Sequence, residues 1–296
     1  MFEGRWQMPE TMLDNILSRT EEISKQGVQL LTEFSGMHPI NKPGDSVVLI
    51  SPSGNNWWNP LPPEGKQIQL QLLAKISRFS ELVLSLSRKL PSTAQKQIIS
   101  GLEKIRRDVQ QEDKTWWGTK DEAASGFQKA IKEVTTVLTD FFYKSASTVL
   151  VVPDTNALLR NPDLESWSFN VSHFVIVLTP TILSELDHHK VNHRNPDVRE
   201  KAEKLINKIK EYRRRGSLSE GVNVVSGRIS LQSIANEPNM QQTLSWFDQT
   251  NADDRFLAST LEIMADHLGD TVFIVTADIN MLNKAEMAGI PFREVP

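Results

Sequence analysis

Helical periodicity characterises the first half of the chain. Apolar residues such as Met12 and Ile16 recur there at roughly helical spacing. Helices are predicted over residues 9–34, 66–90, 93–112 and 121–145, the second of them ending before Pro91. Residues 36–65 contain several prolines and glycines and enclose a short strand candidate at 46–50. The pattern predicts a mostly α-helical domain, a helical bundle, over residues 1–146.

The second half alternates short apolar runs with helical segments. Residues 148–153, 173–178 and 271–277 are rich in β-branched and apolar side chains and have the length of buried strands. A helix is predicted directly after the second run, because Thr179 is a capping residue and Pro180 suits the first helical position. This alternation predicts an α/β domain with a parallel sheet over the rest of the chain.

Four acidic residues occupy comparable positions in this pattern. Asp154 and Asp278 follow the first and third runs, whereas Glu185 and Asp254 lie in the first turns of helices. In an open parallel sheet, ligands bind beyond the carboxyl ends of the strands. Carboxylates gathered at that edge repel one another, so they need a cation to stay ionised together. Hard oxygen ligands suit Mg²⁺ or Mn²⁺, and the four acids are therefore candidate metal ligands.

Turn chemistry offers another explanation for each acid taken singly. Asp is among the best residues at a helix N-cap, so Asp154 and Asp278 could simply cap the helices that follow them. Glu185 is harder to explain in this way, because it lies within a turn between Leu183 and Leu186. Since a capping explanation has to account for four coincidences, we favour the metal site.

The segments around these acids resemble the four acidic motifs of PIN-domain ribonucleases. They read VVPDTNALL at 151–159, TPTILSEL at 179–186, NADDRFLA at 251–258 and VTADIN at 275–280. The resemblance covers about residues 148–296. It implies a three-layer α/β/α domain with a mainly parallel sheet, a site in which Asp154, Glu185, Asp254 and Asp278 are catalytic metal ligands, and endonucleolytic cleavage of RNA. In the Asp253-Asp254 doublet it favours Asp254 as the ligand, which leaves Asp253 as a charge favourable to the helix dipole.

Hydroxyl and amide side chains flank the acids. Thr276 and Asn156 are candidates for holding the acidic side chains in position, since such groups commonly orient metal ligands. In the family, the position of Thr276 is usually Ser or Thr. Both residues could equally be ordinary cap and turn residues.

Other reaction classes lack their motifs. A phosphate-binding loop, a dinucleotide-binding glycine motif and a Gly-x-Ser-x-Gly elbow are all missing from the sequence. An aspartyl-phosphatase would need an acid at position 156, which is Asn. Because the chain has no cysteine, thiol catalysis and cysteine-ligated zinc are excluded. His188 and His193 miss the zinc-protease spacing and are interpreted as solvated or phosphate-contacting residues.

A basic segment follows Glu185. Residues 188–215 hold ten Lys and Arg against four Asp and Glu, a local charge of +6 in a chain whose net charge is −4. Lys and Arg contacts to phosphates provide affinity with little sequence information. The residues predicted to contact RNA are Lys190, Arg194, Arg213, Arg214 and Arg215. The alternative is a solvated helix face stabilised by Glu-Lys pairs four residues apart.

Length and composition predict a cytoplasmic protein of two domains. The chain has 296 residues, of which 39% are hydrophobic, enough for two cores. We expect no membrane association, because the first nine residues do not resemble a signal peptide and no run of 18 apolar residues exists.

Two tryptophan doublets mark the first half, Trp57-Trp58 and Trp116-Trp117. Tryptophans in loops stack on bases or anchor protein interfaces, but more often they pack a loop onto the nearest helix. Asp113, Asp121 and Glu122 lie near the second doublet, so any functional role would favour protein over RNA. The helical domain is therefore expected to bind a protein partner or to self-associate.

The sequence thus predicts a metal-dependent endoribonuclease that acts on single-stranded RNA. One alternative is a catalytically silent PIN-like module that binds RNA or protein. The presence of all four acids argues against it. The other alternative is a structure-specific nuclease acting on DNA. Such relatives usually carry further acids, and here only Asp187 and Asp253 could serve.

Overall fold

The computed structural model describes residues 11–39, 56–112, 114–115, 117–143 and 147–295. The chain forms two compact units, one of Met1–Asn15 with Phe142–Pro296 and the other of Ile16–Phe141. The domain boundary at 146/147 stays a prediction beside this division. In the described ranges, no helix has both the length and the hydropathy that a membrane span requires.

The C-terminal unit contains a mainly parallel sheet of six strands. Its strands are β4 (Val149–Pro153), β5 (Phe174–Leu178), β6 (Val222–Val225), β7 (Ile229–Ser233), β8 (Thr271–Val275) and β9 (Phe292–Arg293). They lie in the order β6-β7-β5-β4-β8-β9, and every neighbouring pair is parallel except β6 with β7. Strands β4 and β8 pair over their full length, from Val149 opposite Thr271 to Pro153 opposite Val275.

Helices cover this sheet. They are α5 (Thr155–Arg160), α6 (Pro180–Asn192), α7 (Pro196–Arg215), α8 (Ala252–Asp266) and α9 (Ile279–Ala288). All residues of β4 and β8 are buried, although successive side chains of a strand point to opposite faces. Both faces of the sheet are therefore covered, as parallel sheets require. The predicted α/β class with a mainly parallel sheet, preceded by a helical region, is confirmed.

The other unit is mostly helical. It contains most of α1 (Met12–Gln29), which continues into a short π-helix (Leu30–Phe34), and α2 (Pro63–Ser87), α3 (Ser92–Gln110) and α4 (Lys120–Phe142). These helices match the predicted ones to within a few residues. A small antiparallel sheet was not predicted and comprises β1 (Met37–Pro39), β2 (Asn56–Trp58) and β3 (Lys114–Thr115). The strand candidate at 46–50 lies outside the described residues.

The tryptophan doublets belong to the packing of this unit where the structure describes them. Trp57 and Trp58 lie in strand β2 and not in a loop, and Trp58 is buried. The indole N–H of Trp117 donates to Asp108 on α3, and its ring lies against the backbone of Gly126 on α4. Trp116 lies outside the described residues. The packing interpretation therefore holds for Trp58 and Trp117.

Close packing of α1 against α4 generates a first prediction. A Cβ atom placed on Gly27 would lie 2.1 Å from Cε1 of Phe127, a ring that is fully buried. Gly27→Ala forces this ring to move, and such overpacking costs about 1–3 kcal/mol, more than the helix propensity gained. We expect a lower free energy of unfolding in urea denaturation. Gly118→Ala is the control, because its nearest neighbour is the movable carboxylate of Glu122. Equal stability of the two variants would contradict the packing argument.

Candidate active site

The acids converge because three parallel strands end at the same edge of the sheet. Asp154 follows β4, and its backbone N–H donates to the carbonyl of Val275, the last residue of β8, at 2.9 Å. Thr179 follows β5 and caps α6 through its hydroxyl, as predicted. The helices α5, α6 and α9 all begin within a few residues of these strand ends. Side chains in their first turns therefore face a common region.

Asp154 is a buried carboxylate with both oxygens engaged. It is 3% exposed. Oδ1 accepts the backbone N–H of Ala157 at 2.6 Å, which makes Asp154 the N-cap of α5. Oδ2 accepts the hydroxyl of Thr276. The capping role suggested by turn chemistry is therefore real, and it fixes the orientation of this carboxylate beside the other acids.

Burial dominates the electrostatics of Asp154. Desolvation, helped by the neighbouring charges of Asp278 and Glu185, raises the pKa of this carboxyl to about 6 against the lowering effect of the hydrogen bonds from Thr276 and Ala157. The mutual influence shows that Asp154, Glu185 and Asp278 lie near one another. The site therefore holds like charges at an energetic cost, as expected for a site that attracts cations.

Thr276 connects two of the acids. Its hydroxyl donates to Asp154 and accepts the backbone N–H of Asp278 at 3.0 Å. Asp278 in turn caps α9, with Oδ1 accepting the N–H groups of Asn280 and Met281. The contacts of Thr276 are those expected of a residue that positions ligands. Asn156 lines the same cavity as the acids.

Glu185 approaches from α6. Its Oε2 accepts the hydroxyl of Thr155, the residue after Asp154, at 2.5 Å. The side chain is half-buried. The hydrogen bond from Thr155 therefore connects Glu185 to the start of α5. In the same way, Thr276 connects Asp154 to the start of α9.

The two aspartates of α8, Asp253 and Asp254, have different surroundings. Asp253 is half-buried and lines the cavity with the other acids. Asp254 is not among the lining residues and is 5% exposed. Its Oδ2 accepts the N–H of Asp248, and its Oδ1 lies 2.8 Å from Nζ of Lys284. Asp254 as a ligand stays a prediction, whereas the geometry makes Asp253 the carboxylate that faces the cavity.

Lys284 was not predicted and lies on α9. Its ammonium group contacts Asp254 at 2.8 Å and Asp253 at 3.5 Å. Burial alone would lower the pKa of Lys284, but hydrogen bonding and attraction to Asp254 and Asp253 raise it overall. A cation therefore already balances this corner of the site. One turn of α9 separates it from the capping region of Asp278, but no sequence motif marks a lysine there.

The cavity has room for a small ion or a water molecule. It measures about 30 Å³, close to the share of volume that one water takes in the liquid. The lining acids are Asp154, Glu185, Asp253 and Asp278. Their oxygens suit a hard divalent cation. Within the described residues, however, no three His, Asp or Glu side chains are arranged as a ready metal-binding group. The donor chemistry of these carboxylates fits such an ion.

The predicted RNA-contacting residues are spread along α6, α7 and the segment between them. Arg213, Arg214 and Arg215 end α7 on an exposed surface. Arg215 pairs with Glu211 at 2.6 Å and lies over the ring of Tyr212, and Lys190 lies 3.8 Å from Glu203. Arg194 is exposed between the two helices. The structure thus gathers Arg213 to Arg215 at one end of α7 and pairs Lys190 and Arg215 with acids.

The histidines of α6 and the residue after it form no metal site in the described residues. The rings of His189 and His193 lie edge to face, with centroids 5.1 Å apart. Burial, followed by the charge of His193, lowers the pKa of His189 against the effect of Glu185.

Comparison with known proteins agrees with the geometry. Residues 151–295 match the family model described as PIN domain. The match begins in β4 and ends just after β9, so it spans the sheet and every acid of the cavity. No curated protein matches the chain.

The raised pKa of Asp154 generates a prediction about stability in metal-free buffer. The folded protein holds this proton more tightly than the unfolded chain, in which an Asp titrates near 3.8. The contribution of the Asp154 proton to the free energy of unfolding is therefore fully present below about pH 4 and is lost as the pH rises through about 6. The difference approaches about 3 kcal/mol relative to Asp154→Asn, which does not titrate. Urea denaturation of both proteins from pH 3.5 to 7.5 measures it. Parallel curves would mean that the carboxyl keeps its ordinary pKa.

Proposed function

We propose that this protein is a metal-dependent endoribonuclease, because its C-terminal half belongs to the PIN-domain family and has a nuclease-like fold. It hydrolyses phosphodiester bonds of single-stranded RNA. The observation that carries the proposal is the convergence of Asp154, Glu185, Asp253 and Asp278 on one cavity at the carboxyl edge of a parallel sheet. Carboxylates collected in this way are the usual protein ligands of the ions that assist phosphodiester hydrolysis.

The residues that would hold Mg²⁺ or Mn²⁺ are Asp154, Glu185, Asp278 and one member of the Asp253-Asp254 pair. An ion there would supply an acidified water as nucleophile and positive charge opposite the phosphate oxygens. The protein has to keep the ligands ionised and in place. Asp154 has a pKa near 6, so it is mostly ionised at pH 7.5, and Ala157 and Thr276 fix its two oxygens.

The shape of the site supports a flexible single strand as substrate. A cavity of about 30 Å³ accommodates an ion or a water but no nucleoside, so the phosphate has to be presented at its mouth. The exposed guanidinium groups of Arg213 and Arg214 offer phosphate contacts on the same unit. RNA as the substrate follows the family resemblance, and the cleavage assay below includes DNA for comparison.

One observation favours a second candidate, a silent RNA- or protein-binding module. Lys284 already neutralises part of the acidic charge by pairing with Asp253 and Asp254. A site balanced by an internal ammonium group needs no ion in order to fold. The two candidates differ in whether a divalent ion can displace Lys284 from these acids.

Cleavage is the direct test. The protein is expected to cut a labelled single-stranded RNA in Mg²⁺ or Mn²⁺, to stop in EDTA, and to cut single-stranded DNA of the same sequence more slowly. Asp154→Asn and Asp278→Asn should each lower the rate by at least about 100-fold, since each removes a charge from the ion's ligand set. Glu220→Gln, an exposed loop acid, is the control. Equal activity in all these variants would point to a contaminating nuclease.

The same assay separates the two acids of α8. The geometry predicts a larger loss of activity for Asp253→Asn, which changes the cavity wall. Asp254→Asn should mainly lower the melting temperature, because it breaks the buried ion pair with Lys284. The reverse result would make Asp254 the ligand, as the family resemblance implies.

Metal binding should also appear as a change in stability. An ion that binds the folded state raises the melting temperature, by an amount equivalent to about 2.7 kcal/mol at 100 times its Kd. The shift with Mn²⁺ should be large at pH 7.5 and small at pH 5, because protons compete for Asp154, whose pKa is about 6. Lys284→Ala should enlarge the shift by removing the competing cation. A shift that is independent of pH and of Asp278→Asn would place the ion elsewhere.

A further inference from the structure

A second and larger cavity lies on the other side of α6. It measures about 670 Å³ and is bounded by α6, α7, the segment after α7 and the end of β7. Leu183, Ile206 and Ile209 contribute an apolar wall, and Lys210 and Arg213 stand beside them on α7. We call this cavity the α6-α7 pocket. Its volume falls in the range of pockets that bind small organic ligands, whereas the acid cavity is far smaller.

The pocket opens at the same edge of the sheet as the acids. Ser233, the last residue of β7, lines it and pairs with Leu178, the last residue of β5. Helix α6 forms the wall between the two cavities: Ile182 and Glu185 line the acid cavity, while Leu183 and Asp187 line the pocket. These pairs lie three and four residues apart, so each pair occupies its own face of the helix. An RNA strand that leaves the acid cavity has to cross one helix diameter, about 10 Å, to reach the pocket.

The lining of the pocket matches the chemistry of a nucleotide. A nucleobase presents two apolar faces and a polar edge, and it can lie against aliphatic side chains or the plane of an arginine. The hydroxyls of Ser217 and Ser233 and the carboxylate of Asp187 offer partners for a base edge or a ribose. Lys210 and Arg213 have no acidic partner among the described residues, so both charges are available to a phosphate. Arg213 is the one predicted RNA contact that lines this pocket.

We propose that the α6-α7 pocket binds one nucleotide of the substrate strand, close to but separate from the cleaved bond. The base lies against Leu183, Ile206 and Ile209, and the adjoining phosphate contacts Lys210 and Arg213. The proposal rests on the proposed function, because it assumes a single-stranded RNA that passes over α6. In this arrangement the protein recognises a base beside the cleavage site and also binds the phosphate backbone.

Two matched pairs of variants test the pocket. Ala235 lines it and is exposed, so Ala235→Trp fills it, whereas Asn236→Trp places the same ring on the neighbouring exposed residue outside the lining. Ser219→Trp is a second filling variant. Arg213→Gln removes a cation from the pocket, and Lys201→Gln removes an exposed cation of the same helix outside the lining. All are made in the Asp154→Asn background so that the RNA stays intact, and melting temperatures verify folding.

The measurement is the affinity of each variant for a fluorescent 12-nucleotide RNA and for an abasic strand of the same length. Filling the pocket should weaken RNA binding by about tenfold, because the base loses its apolar contacts with Leu183, Ile206 and Ile209, and should leave abasic binding unchanged. Arg213→Gln should weaken binding of both strands and reduce the slope of log affinity against log salt by about 1. Asn236→Trp and Lys201→Gln should change affinity much less.

The outcomes separate this proposal from the proposed function. If Ala235→Trp and Ser219→Trp both bind RNA as the parent does, or weaken RNA and abasic strand equally, the base pocket is overturned. Cleavage of RNA by the wild type would still support the nuclease in that case. If the filling variants lose RNA but not abasic binding while the wild type never cuts RNA, the pocket stands and the silent RNA-binding module replaces the nuclease.

Discussion

The pairing of β4 with β8 is the interaction on which the site depends. The two strands run parallel in register over five residues, so Asp154 and Thr276 emerge side by side at one edge. A slip of one residue would displace one strand by about 3.3 Å and separate the hydroxyl of Thr276 from Asp154. Complete burial of both strands opposes such a slip, since it would exchange the side chains that pack on the two covered faces of the sheet. The register of the core therefore sets the geometry of the acids.

The sequence predicts the elements whose signals are local and strong. The runs that become β4, β5 and β8 are continuous and β-branched, and the structure brings Asp154, Glu185 and Asp278, which follow these runs, to one cavity. Strands β6 and β7 were missed because they alternate buried residues with exposed or half-buried ones over only four and five positions. The turn at Gly227, whose φ is +69°, was the available signal for that hairpin. The sequence could not predict that Asp253 faces the cavity while Asp254 pairs with Lys284. This difference depends on Lys284, which contacts both aspartates from another helix.

The fold stabilises its acids with several separate devices. Asp154 and Asp278 receive backbone N–H bonds as helix caps, and Thr276 and Thr155 donate hydroxyls to Asp154 and Glu185. Lys284 on α9 balances the negative charge of Asp253 and Asp254 on α8. These contacts explain how a cap and a metal ligand can be the same residue: a carboxylate has two oxygens with about four acceptor sites, and a cap uses only part of them. The acids can therefore be ordered before any ion arrives, which limits the rearrangement that binding needs.

Helix α6 has a weak amphipathic pattern because its residues face more than one surface. A surface helix normally carries one apolar stripe that faces the core. The residues of α6 face two cavities as well as the sheet, with Glu185 on one side, Leu183 and Asp187 on another, and Leu186 buried. Polar and apolar residues consequently alternate around the helix, and its amphipathic pattern is poor. The same arrangement places the acid that would bind the ion and the wall of the α6-α7 pocket on one rigid element. A shift of α6 would therefore change the walls of both cavities together.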